Sequence, residues 1–517
     1  MFVPLTPIRF LYRAVDIFGK HIGIVSGEHQ FTYAEFGRRC EQLAKALLRA
    51  GVQPGDRVAF LSFNNHQLLE GYYGVPMAGA VVMPLNVRLT VSELSVIIRH
   101  AGARILFYEP DFEGIATELP VERKVRIGAE YESLLAAEEP ERVDFMGIDE
   151  NSIAELFYTS GSTGTPKGVM LSHRTLYLHA FSVATCYVEP VSMVDLHTIP
   201  LFHANGWGHA HASTMMGVKH VMVRRFDPVG VYELIHKHRA TEMSLVPTMA
   251  NALLAVPDTD AYDLSSLRQI QIGGAAASPE LIERMENRFR CRVFAGYGLT
   301  ETAPVLTFAR PKRELTIASE RERFERQAMT GWPVPGVEVR VVDNDGQDVP
   351  RDRSTMGEVI TRSDHVMTGY YAEPEATNDV MAGGWFHTGD MAVWDDDGYI
   401  HIVDRKKEII VSGGENISSI EVEKAIAAHP EVFECAVVAA PDDKWGEIPA
   451  AIVVRKPGSS LDAKSLCAFL DNRLAKFKIP RKIDFSEEPL PKTGTGKIRK
   501  LVLKEQYWIG KAKRVQG

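Results

Sequence analysis

The chain has 517 residues and a mass of 57.5 kDa, with 45% hydrophobic residues, 24% charged residues and a net charge of −9 at pH 7. This length exceeds the roughly 250–300 residues at which a single core stops growing, so we expect at least two domains. The acidic balance argues against nucleic acid as the main partner. Five scattered cysteines without a CxxC pair argue against a disulfide framework and favour a reducing compartment.

The N-terminal stretch is not typical of a signal peptide. Charges at Arg9, Arg13 and Asp16 interrupt any apolar segment that could serve as one. The uncharged run at 71–87 contains prolines and glycines and falls short of the ~18 apolar residues that a spanning helix needs. We therefore expect a soluble cytoplasmic protein without a transmembrane segment, and peripheral membrane contact stays open.

Short apolar runs and helical patterns alternate through the first part of the chain. The pattern predicts strands at 57–63, 80–86, 103–109, 241–248 and 267–274, and helices at 66–79, 92–102, 231–240 and 278–289, with Ser278 as an N-cap. Such alternation is typical of βαβ units around largely parallel sheets.

After about Val339 the pattern changes to short strands separated by turn sequences. The segments 337–343, 357–363 and 398–404 are predicted strands, with turns such as DNDG and DDDG between them. A smaller α+β unit is predicted to begin in the charged run DRKKE, with a helix at 418–429 and strands at 434–440 and 450–456. The sequence thus predicts a domain at 1–403, a second at 404–517, and a boundary at 404–407.

The segment YTSGSTGTPKG, Tyr158–Gly168, combines three glycines, five serine or threonine side chains and one lysine. It does not match the P-loop pattern, because Lys167 follows a proline and Gly168 occupies the place of the Ser or Thr that binds magnesium. Glycines still allow backbone N–H groups to converge, and the lysine supplies positive charge. A strand-like segment before it and the helical segment at 173–184 after it place the loop at a sheet edge, where α/β folds bind ligands.

Five segments in one order resemble the motifs of the adenylate-forming superfamily, which includes acyl-CoA synthetases, luciferases and peptide-synthetase adenylation domains. They are the loop at 158–168, GYGLTET at 296–302, WFHTGD at 385–390, DRKKEIIVSGGENISSIEVE at 404–423 and PKTGTGK at 491–497. The resemblance covers nearly the whole chain. It implies a large N-terminal domain of stacked, largely parallel α/β sheets with a small β-barrel-like part, followed by a small mobile C-terminal domain.

The resemblance implies a reaction that joins a carboxylate to the α-phosphorus of ATP, releases pyrophosphate and then transfers the acyl group to a thiol. It assigns ATP or AMP binding to Thr159, Ser160, Gly161, Ser162, Thr163, Gly164, Lys167, Gly274, Ala275, Gly296, Tyr297, Gly298, Thr300, Asp390 and Arg405. Lys497 would bridge the attacking carboxylate and the α-phosphate. Glu301, with Thr159, would hold Mg²⁺. Positioning and electrostatics would supply most of the rate.

The resemblance also implies where the acyl group and the thiol bind. His203, Trp207, Gly273 and Ala276 would line the acyl pocket, with His203 beside the reacting carboxylate and Trp207 at the entrance. Gly413, Gly414 and Trp445 would bind CoA, and Lys407 would act as the hinge between two domain orientations. His203, His209 and His211 are close in sequence, but nothing else there completes a metal-ligand set.

These features predict an acyl-CoA ligase that uses ATP, Mg²⁺ and CoA. Trp207 and the small residues at 272–279 favour a medium- or long-chain fatty acid as the substrate. An aromatic or short branched carboxylate is the first alternative, and a catalytically silent nucleotide-binding scaffold is a remote one. The resemblance also allows a homodimer. Chain length, oligomeric state and pathway are not readable from the sequence.

Overall fold

The computed structural model of the protein describes residues 1–159, 166–187, 192–313, 315, 317–413, 415–442, 444–471, 473–492 and 498–509. The chain forms two compact units. The first comprises Met1–Val339, Thr361–Phe386 and Asp397–Ile400, and the second comprises Arg340–Ile360, His387–Asp396 and His401–Gly517. The predicted domain boundary at 404–407 lies inside the second unit and stays a prediction.

The strands follow the alternation that the sequence predicts. In chain order they are β1 (Ile22–Ser26), β2 (His29–Thr32), β3 (Arg57–Leu61), β4 (Val81–Pro84), β5 (Ala103–Tyr108), β6 (Arg123–Arg126), β7 (Ile153–Thr159), β8 (Lys167–Ser172), β9 (Val194–His197), β10 (Lys219–Met222), β11 (Glu242–Leu245), β12 (Gln269–Ile272), β13 (Arg292–Gly298), β14 (Val305–Phe308), β15 (Trp332–Pro333), β16 (Val337–Val342), β17 (Gly357–Ser363), β18 (Gly369–Tyr370), β19 (Met381–Ala382), β20 (Trp385–Trp394), β21 (Ile400–Arg405), β22 (Ile410–Ser412), β23 (Glu415–Ile417), β24 (Val432–Asp442), β25 (Gly446–Arg455) and β26 (Lys482–Ser486).

The helices cover or connect these strands. They are α1 (Ile8–Phe18), α2 (Tyr33–Arg49), α3 (His66–Met77), α4 (Val91–Ala101), α5 (Glu113–Glu118), α6 (Ala129–Ala136), α7 (His173–Ala184), the single turn α8 (Ala204–Trp207), α9 (His209–Met216), α10 (Pro228–His238), α11 (Pro247–Leu254), α12 (Pro279–Phe289), α13 (Glu320–Ala328), α14 (Pro374–Val380), α15 (Ser419–Ala427), α16 (Ala463–Leu470) and α17 (Lys500–Trp508). The predicted N-cap of α12 is confirmed, because the Ser278 side chain accepts a hydrogen bond from the N–H of Leu281.

Two sheets form the framework of the first unit. The larger has the order β15-β14-β13-β12-β11-β9-β10-β1-β2, and the strands from β13 to β1 in this order run parallel. The other has the order β18-β8-β7-β4-β3-β5-β6, in which β7, β4, β3, β5 and β6 are parallel. The predicted α/β class with a large N-terminal region of largely parallel sheets is therefore confirmed.

The second unit has an α+β core of its own. Its sheet has the order β23-β22-β25-β24 with β26 beside β25. Alternate residues of β24 point to opposite faces: Val437 packs in a cluster with Val422 of α15, whereas Val438 packs in a cluster with Leu503 of α17. A further sheet of short strands has the order β16-β17-β20-β19 with β21 beside β20, and it contains the three strands predicted from 337 to 404.

Candidate active site

The predicted phosphate loop joins two antiparallel strands. Thr159 ends β7 and is the register partner of Lys167, which begins β8. Ser160, Gly161, Ser162, Thr163 and Gly164 lie outside the described residues. The sequence did not predict β8, which lies between the loop and helix α7. The described residues on the two sides of the loop are therefore paired strands, and the chain does not pass directly from β7 into helix α7.

A tyrosine that the sequence did not single out connects two of the predicted site residues. The Tyr370 hydroxyl donates a hydrogen bond to Oε1 of Glu301 over 2.9 Å. Nζ of Lys167 lies 4.6 Å from the centre of the Tyr370 ring, within the range of a cation–π contact. Strand β18 pairs Tyr370 with Val169 of β8. The structure thus brings Lys167 and Glu301 to the same tyrosine. In the sequence this tyrosine is part of the stretch TGYY, which carries no signal of such a role.

The motif GYGLTET begins in the last residues of β13, which pair with β14. A Cβ on Gly296 would lie 2.8 Å from Cδ1 of Phe308, and one on Gly298 would lie 1.9 Å from the carbonyl oxygen of Pro304. Because backbone cannot move aside as a flexible side chain can, position 298 accepts only glycine. Tyr297 between them is half-buried, and Thr300 begins the short turn that carries Glu301.

Trp207 lies against the predicted glycine wall of the acyl pocket. A Cβ on Gly273 would be 3.1 Å from Cη2 of the indole, and one on Gly274 would be 3.4 Å from Cζ2. Trp207 has a φ of 64° and its neighbour Asn205 has a φ of 47°, which are left-handed values that such residues rarely adopt and that cluster at functional sites. The structure therefore brings Trp207 together with Gly273 and Gly274.

The remaining predicted pocket residues lie close by along the chain. His203 is half-buried and its ring centre is 4.7 Å from that of Phe202. Ala275 and Ala276 are exposed. The structure therefore does not enclose Ala276 in a pocket. The sequence prediction that Ala276 lines the pocket stays a prediction.

The two histidines after Trp207 have separate carboxylate partners. His209 donates from Nδ1 to Oδ2 of Asp195 over 3.0 Å, and His211 donates from Nε2 to Oε1 of Glu155 over 2.6 Å. Burial favours the neutral ring, but the Asp195 carboxylate outweighs it and raises the pKa of His209 to about 9. Within the described ranges, no three His, Cys, Asp or Glu side chains form a group that could hold a metal ion.

The predicted ribose-binding pair is formed within the second unit. Nε of Arg405 lies 2.7 Å from Oδ1 of Asp390, whose side chain is almost fully buried. The backbone N–H of Asp390 donates to Oγ1 of Thr388 over 3.1 Å. The pair shows that Arg405 and Asp390 occupy neighbouring positions, as one ribose-binding site would require.

The hinge region is tied to the start of helix α15. Asp404 accepts hydrogen bonds from the N–H groups of Ser419 and Ile420, which are donors that a helix N-terminus leaves unpaired. Lys407 is exposed, in the short turn Lys406–Glu408. The catalytic candidate Lys497 lies outside the described residues.

Lys500, a lysine whose side chain is only 14% exposed, lies three residues after Lys497. Nζ of Lys500 is 2.9 Å from Oε1 of Glu423 and 3.4 Å from Oε2 of Glu408, and it donates to Oγ of Ser419 over 2.7 Å. Burial alone disfavours the charged amine, but the two glutamates raise the pKa of Lys500 above its usual range. The start of α17 is therefore fixed to α15 and to the turn that contains Lys407. Sequence reasoning did not single out Lys500.

The two predicted CoA-binding residues that the structure describes pack together. Gly413 has a φ of 61°, a Cβ there would lie 2.5 Å from Cε3 of Trp445, and its N–H donates to the Trp445 carbonyl over 2.9 Å. Arg481 and Lys444 lie over the indole at 4.7 and 4.8 Å from its ring centre. Gly414 lies outside the described residues. Trp445 is therefore held by a glycine and flanked by two cations.

Comparison with known proteins gives one family. The model of the AMP-binding enzyme family matches residues 11–371, and the model of its C-terminal domain matches residues 421–497. The chain is 39% identical to a long-chain-fatty-acid–CoA ligase of Thermus thermophilus, with 96% of this chain and 95% of that protein covered. It is 37% identical to a peroxisomal butyrate–CoA ligase of Arabidopsis thaliana, with 97% and 93% covered.

A solved structure agrees with these relatives. ATP-bound MatB from Rhodopseudomonas palustris superimposes with a TM-score of 0.85 at 29% identity, covering 98% of this chain and 99% of that one. In the part of the chain that the structure describes, no helix is long and apolar enough to cross a membrane. The chain belongs to the AMP-binding enzyme family and is an acyl-CoA ligase of the adenylate-forming superfamily.

Proposed function

We propose that this ligase activates a carboxylic acid in two steps, with the contact of Lys167 and Glu301 through Tyr370 at the centre of its ATP site. That contact supports the proposal because it places a cation and a carboxylate together at the base of the hydroxyl-rich loop. A triphosphate needs positive charge and backbone donors, and its metal ion needs a carboxylate. Lys167 would hold the leaving pyrophosphate together with Thr159, Ser160 and Thr163.

In the first step a carboxylate oxygen attacks the α-phosphorus, and the bond from this phosphorus to the bridging oxygen of pyrophosphate breaks. Lys497 would neutralise charge on the attacking carboxylate and the α-phosphate, which electrostatic repulsion otherwise keeps apart. Tyr297 would stack on adenine beside Gly274, Ala275 and Gly296. Asp390 would accept hydrogen bonds from the ribose hydroxyls, with Arg405 holding its carboxylate in place.

The oxygen atoms of Glu301 and Thr159 fit a magnesium ion, which prefers carboxylate, hydroxyl and phosphate ligands. The hydrogen bond from Tyr370 orients the Glu301 carboxylate for this purpose. When bound, Mg²⁺ supplies positive charge that neutralises the phosphates. Glu301 and Thr159 would be its protein ligands.

In the second step the sulfur of CoA attacks the acyl carbon, and AMP leaves. Trp445, Gly413 and Gly414 would line the path of the thiol, supported by the close packing of Gly413 on Trp445. The cations Arg481 and Lys444, both within 5 Å of the centre of this indole, suit a phosphate-bearing ligand. Lys407 would be the hinge at which the C-terminal domain changes from the orientation for the first step to that for the second.

The acid itself is an aliphatic carboxylate bound between Trp207, Gly273 and His203, with Ala276 at the rim. The medium- or long-chain fatty acid predicted from the sequence is supported by the long-chain relative, whereas the butyrate relative at nearly the same identity supports a short acid. Identity therefore does not choose between them. The aromatic or short branched alternative stays a prediction. The cytoplasmic location and the homodimer also stay predictions.

Analysis of the nucleotide products tests this function. With ATP, Mg²⁺, CoA and an accepted acid, AMP, pyrophosphate and acyl-CoA should form in equal amounts, and AMP should not form when the acid is omitted. The products should be separated by chromatography and quantified against standards. Formation of ADP in place of AMP, or nucleotide turnover that does not depend on any acid, would refute the proposal. Absence of nucleotide turnover with every acid would favour the silent scaffold.

A further inference from the structure

Six buried polar side chains line one face of the large sheet behind Trp207. They are Asp195, His209, Glu242, Ser244, Gln269 and Gln271, here named the polar floor, and each is at most 5% exposed. A face of a parallel sheet covered by helices is ordinarily apolar. The fold does not need this many polar groups here, so their presence calls for a function.

The strand register explains why these side chains share one face. Glu242 of β11 is the register partner of Asp195 in β9 and of Gln269 in β12, and Ser244 is the partner of Gln271. Register partners in neighbouring strands point to the same face, and so do residues two apart along one strand. Asp195, Glu242, Ser244, Gln269 and Gln271 therefore form one continuous polar surface, to which helix α9 adds His209.

The strand register also places the polar floor next to Gly273 and Trp207, which are predicted to line the acyl pocket. Gln271 precedes Gly273 by two residues, so its side chain leaves the sheet on the face where a Cβ of Gly273 would meet the Trp207 ring at 3.1 Å. The two positions are about 7 Å apart along the strand, which equals roughly six bonds of an extended chain. His209 follows Trp207 by two residues, and its Nε2 lies 3.4 Å from Oγ of Ser244.

Two acceptor atoms of the polar floor have no hydrogen-bond partner among the described residues. His209 and Ser213 both donate to Oδ2 of Asp195, and Gln271 donates from Nε2 to Oε1 of Glu242 over 2.5 Å. Among the described residues, no hydrogen-bond partner reaches Oε2 of Glu242 or Oε1 of Gln269. A buried acceptor without a donor is destabilising, so a ligand that brings a donor to this place would bind favourably.

We propose that the polar floor ends the acyl pocket and selects a short aliphatic acid that carries a hydroxyl group at its far end. This inference rests on the proposed function and favours a short acid over the medium- or long-chain fatty acid predicted from the sequence. The hydroxyl hydrogen would be donated to the unpaired Oε2 of Glu242, whose Oε1 accepts from Gln271, and its oxygen would accept from the Gln271 amide. A methyl group at the same place would leave this Oε2 unpaired, and a long alkyl chain would have to displace the polar side chains.

The protonation of Glu242 agrees with this role. Burial raises the pKa of Glu242 to about 7, so near neutral pH this carboxyl group can donate as well as accept. The hydroxyl group is the ligand chemistry that matches such a neighbour, since it also does both.

The experiment is a panel of acids with the wild-type enzyme, measured by acid-dependent pyrophosphate release in the absence and presence of CoA. The panel pairs butyrate with 4-hydroxybutyrate and hexanoate with 6-hydroxyhexanoate, and adds dodecanoate and benzoate. We expect kcat/KM for a hydroxy acid to exceed that of its unsubstituted partner by at least about tenfold. A preference for dodecanoate, benzoate or both unsubstituted partners overturns the inference while leaving the ligase function intact.

A variant at Gln271 tests whether the polar floor is the source of the preference for hydroxy acids. Gln271→Leu should lower the preference for the hydroxy acid over its unsubstituted partner by about tenfold or more, and the ratio is unaffected by the fraction of folded enzyme. Gln67→Leu replaces a buried glutamine of helix α3, outside the polar floor, and should leave the ratio unchanged. An unchanged ratio in Gln271→Leu overturns the inference. Failure of every acid to release pyrophosphate overturns the proposed function instead.

Discussion

The Tyr370 hydroxyl donates to Oε1 of Glu301 over 2.9 Å while its ring lies 4.6 Å from Nζ of Lys167. One side chain thus contacts both the carboxylate proposed for magnesium and the cation proposed for pyrophosphate. The two contacts use different parts of the side chain, so substitution can separate them. Phenylalanine keeps the ring and removes only the hydrogen bond.

Tyr370→Phe should lower kcat/KM for ATP by about tenfold, because a hydrogen bond to a charged group contributes about 1.5–3 kcal/mol. The concentration of Mg²⁺ needed for half-maximal rate should rise. Initial rates over a matrix of ATP and Mg²⁺ concentrations measure both effects. Tyr371→Phe, at the next tyrosine, is the matched control. Equal behaviour of the two variants would show that Tyr370 does not orient Glu301.

Gly413→Ala should slow thioester formation and spare adenylation. The added Cβ would lie 2.5 Å from Trp445 at a residue with a φ of 61°, and such overpacking costs about 1–3 kcal/mol, or about 5- to 150-fold in rate. Conversion of supplied acyl-AMP and CoA to acyl-CoA measures the second step alone. Gly458 has a φ of 81°, but a Cβ there would have open space around it. Gly458→Ala therefore measures the cost of backbone strain without a collision. An equal loss in both variants would speak against the collision with Trp445.

The stability of the protein should depend on pH through His209. Its pKa is raised to about 9 from an ordinary value near 6.5. Stability from the protonated ring is therefore fully present below about pH 6.5 and lost as pH rises through about 9. Wild type should lose up to about 3 kcal/mol over this window, whereas His209→Gln should lose less.

Urea unfolding at intervals from pH 7 to pH 9 measures this loss above the pKa of Glu242, which is about 7. His21→Gln changes an exposed histidine and should follow the wild-type curve. Parallel curves for wild type and His209→Gln would contradict the assignment of a charged His209 beside Asp195.

Lys500→Met should destabilise the second unit by about 3 kcal/mol, because it leaves Glu423, whose side chain is only 19% exposed, without its cation. The double variant Lys500→Met/Glu423→Gln should recover most of that loss, since position 423 then carries no charge. Lys478→Met removes the partner of Glu421, which is 45% exposed, and should cost at most about 1 kcal/mol. Unfolding followed by Trp445 fluorescence measures all three. Losses that simply add in the double variant would rule out a coupled pair.

The fold could be predicted where local pattern and tertiary structure agree. The strand at 267–274 and the helix after Ser278 are found as β12 and α12, since an apolar run and an N-cap with Pro279 at the first turn both act locally. Strand β8 was not predicted, because the glycines and proline just before it mark a loop and its pairing with β7 and β18 depends on distant residues.

The site could be predicted only as far as motifs reach. Lys167 and Glu301 carry motif signals, but Tyr370 joins them through pairing of β18 with β8, two segments about 200 residues apart. Gln271 and Glu242 cannot be recognised as a pair in the sequence either, because each is one polar residue in a predicted strand. The parallel register sets Glu242 opposite Gln269 and Ser244 opposite Gln271, so Gln271 and Glu242 meet diagonally on one face. Long-range register is what the sequence alone does not determine.

The two half-reactions of Lys497→Ala test the proposed two-step reaction most directly. Adenylation is followed as acid-dependent pyrophosphate release without CoA, and thioester formation as acyl-CoA produced from supplied acyl-AMP. We predict that adenylation falls by about 10²-fold or more, as for loss of a group that stabilises transition-state charge, while thioester formation keeps most of its rate. An equal loss in both half-reactions, or full adenylation activity, would contradict the account.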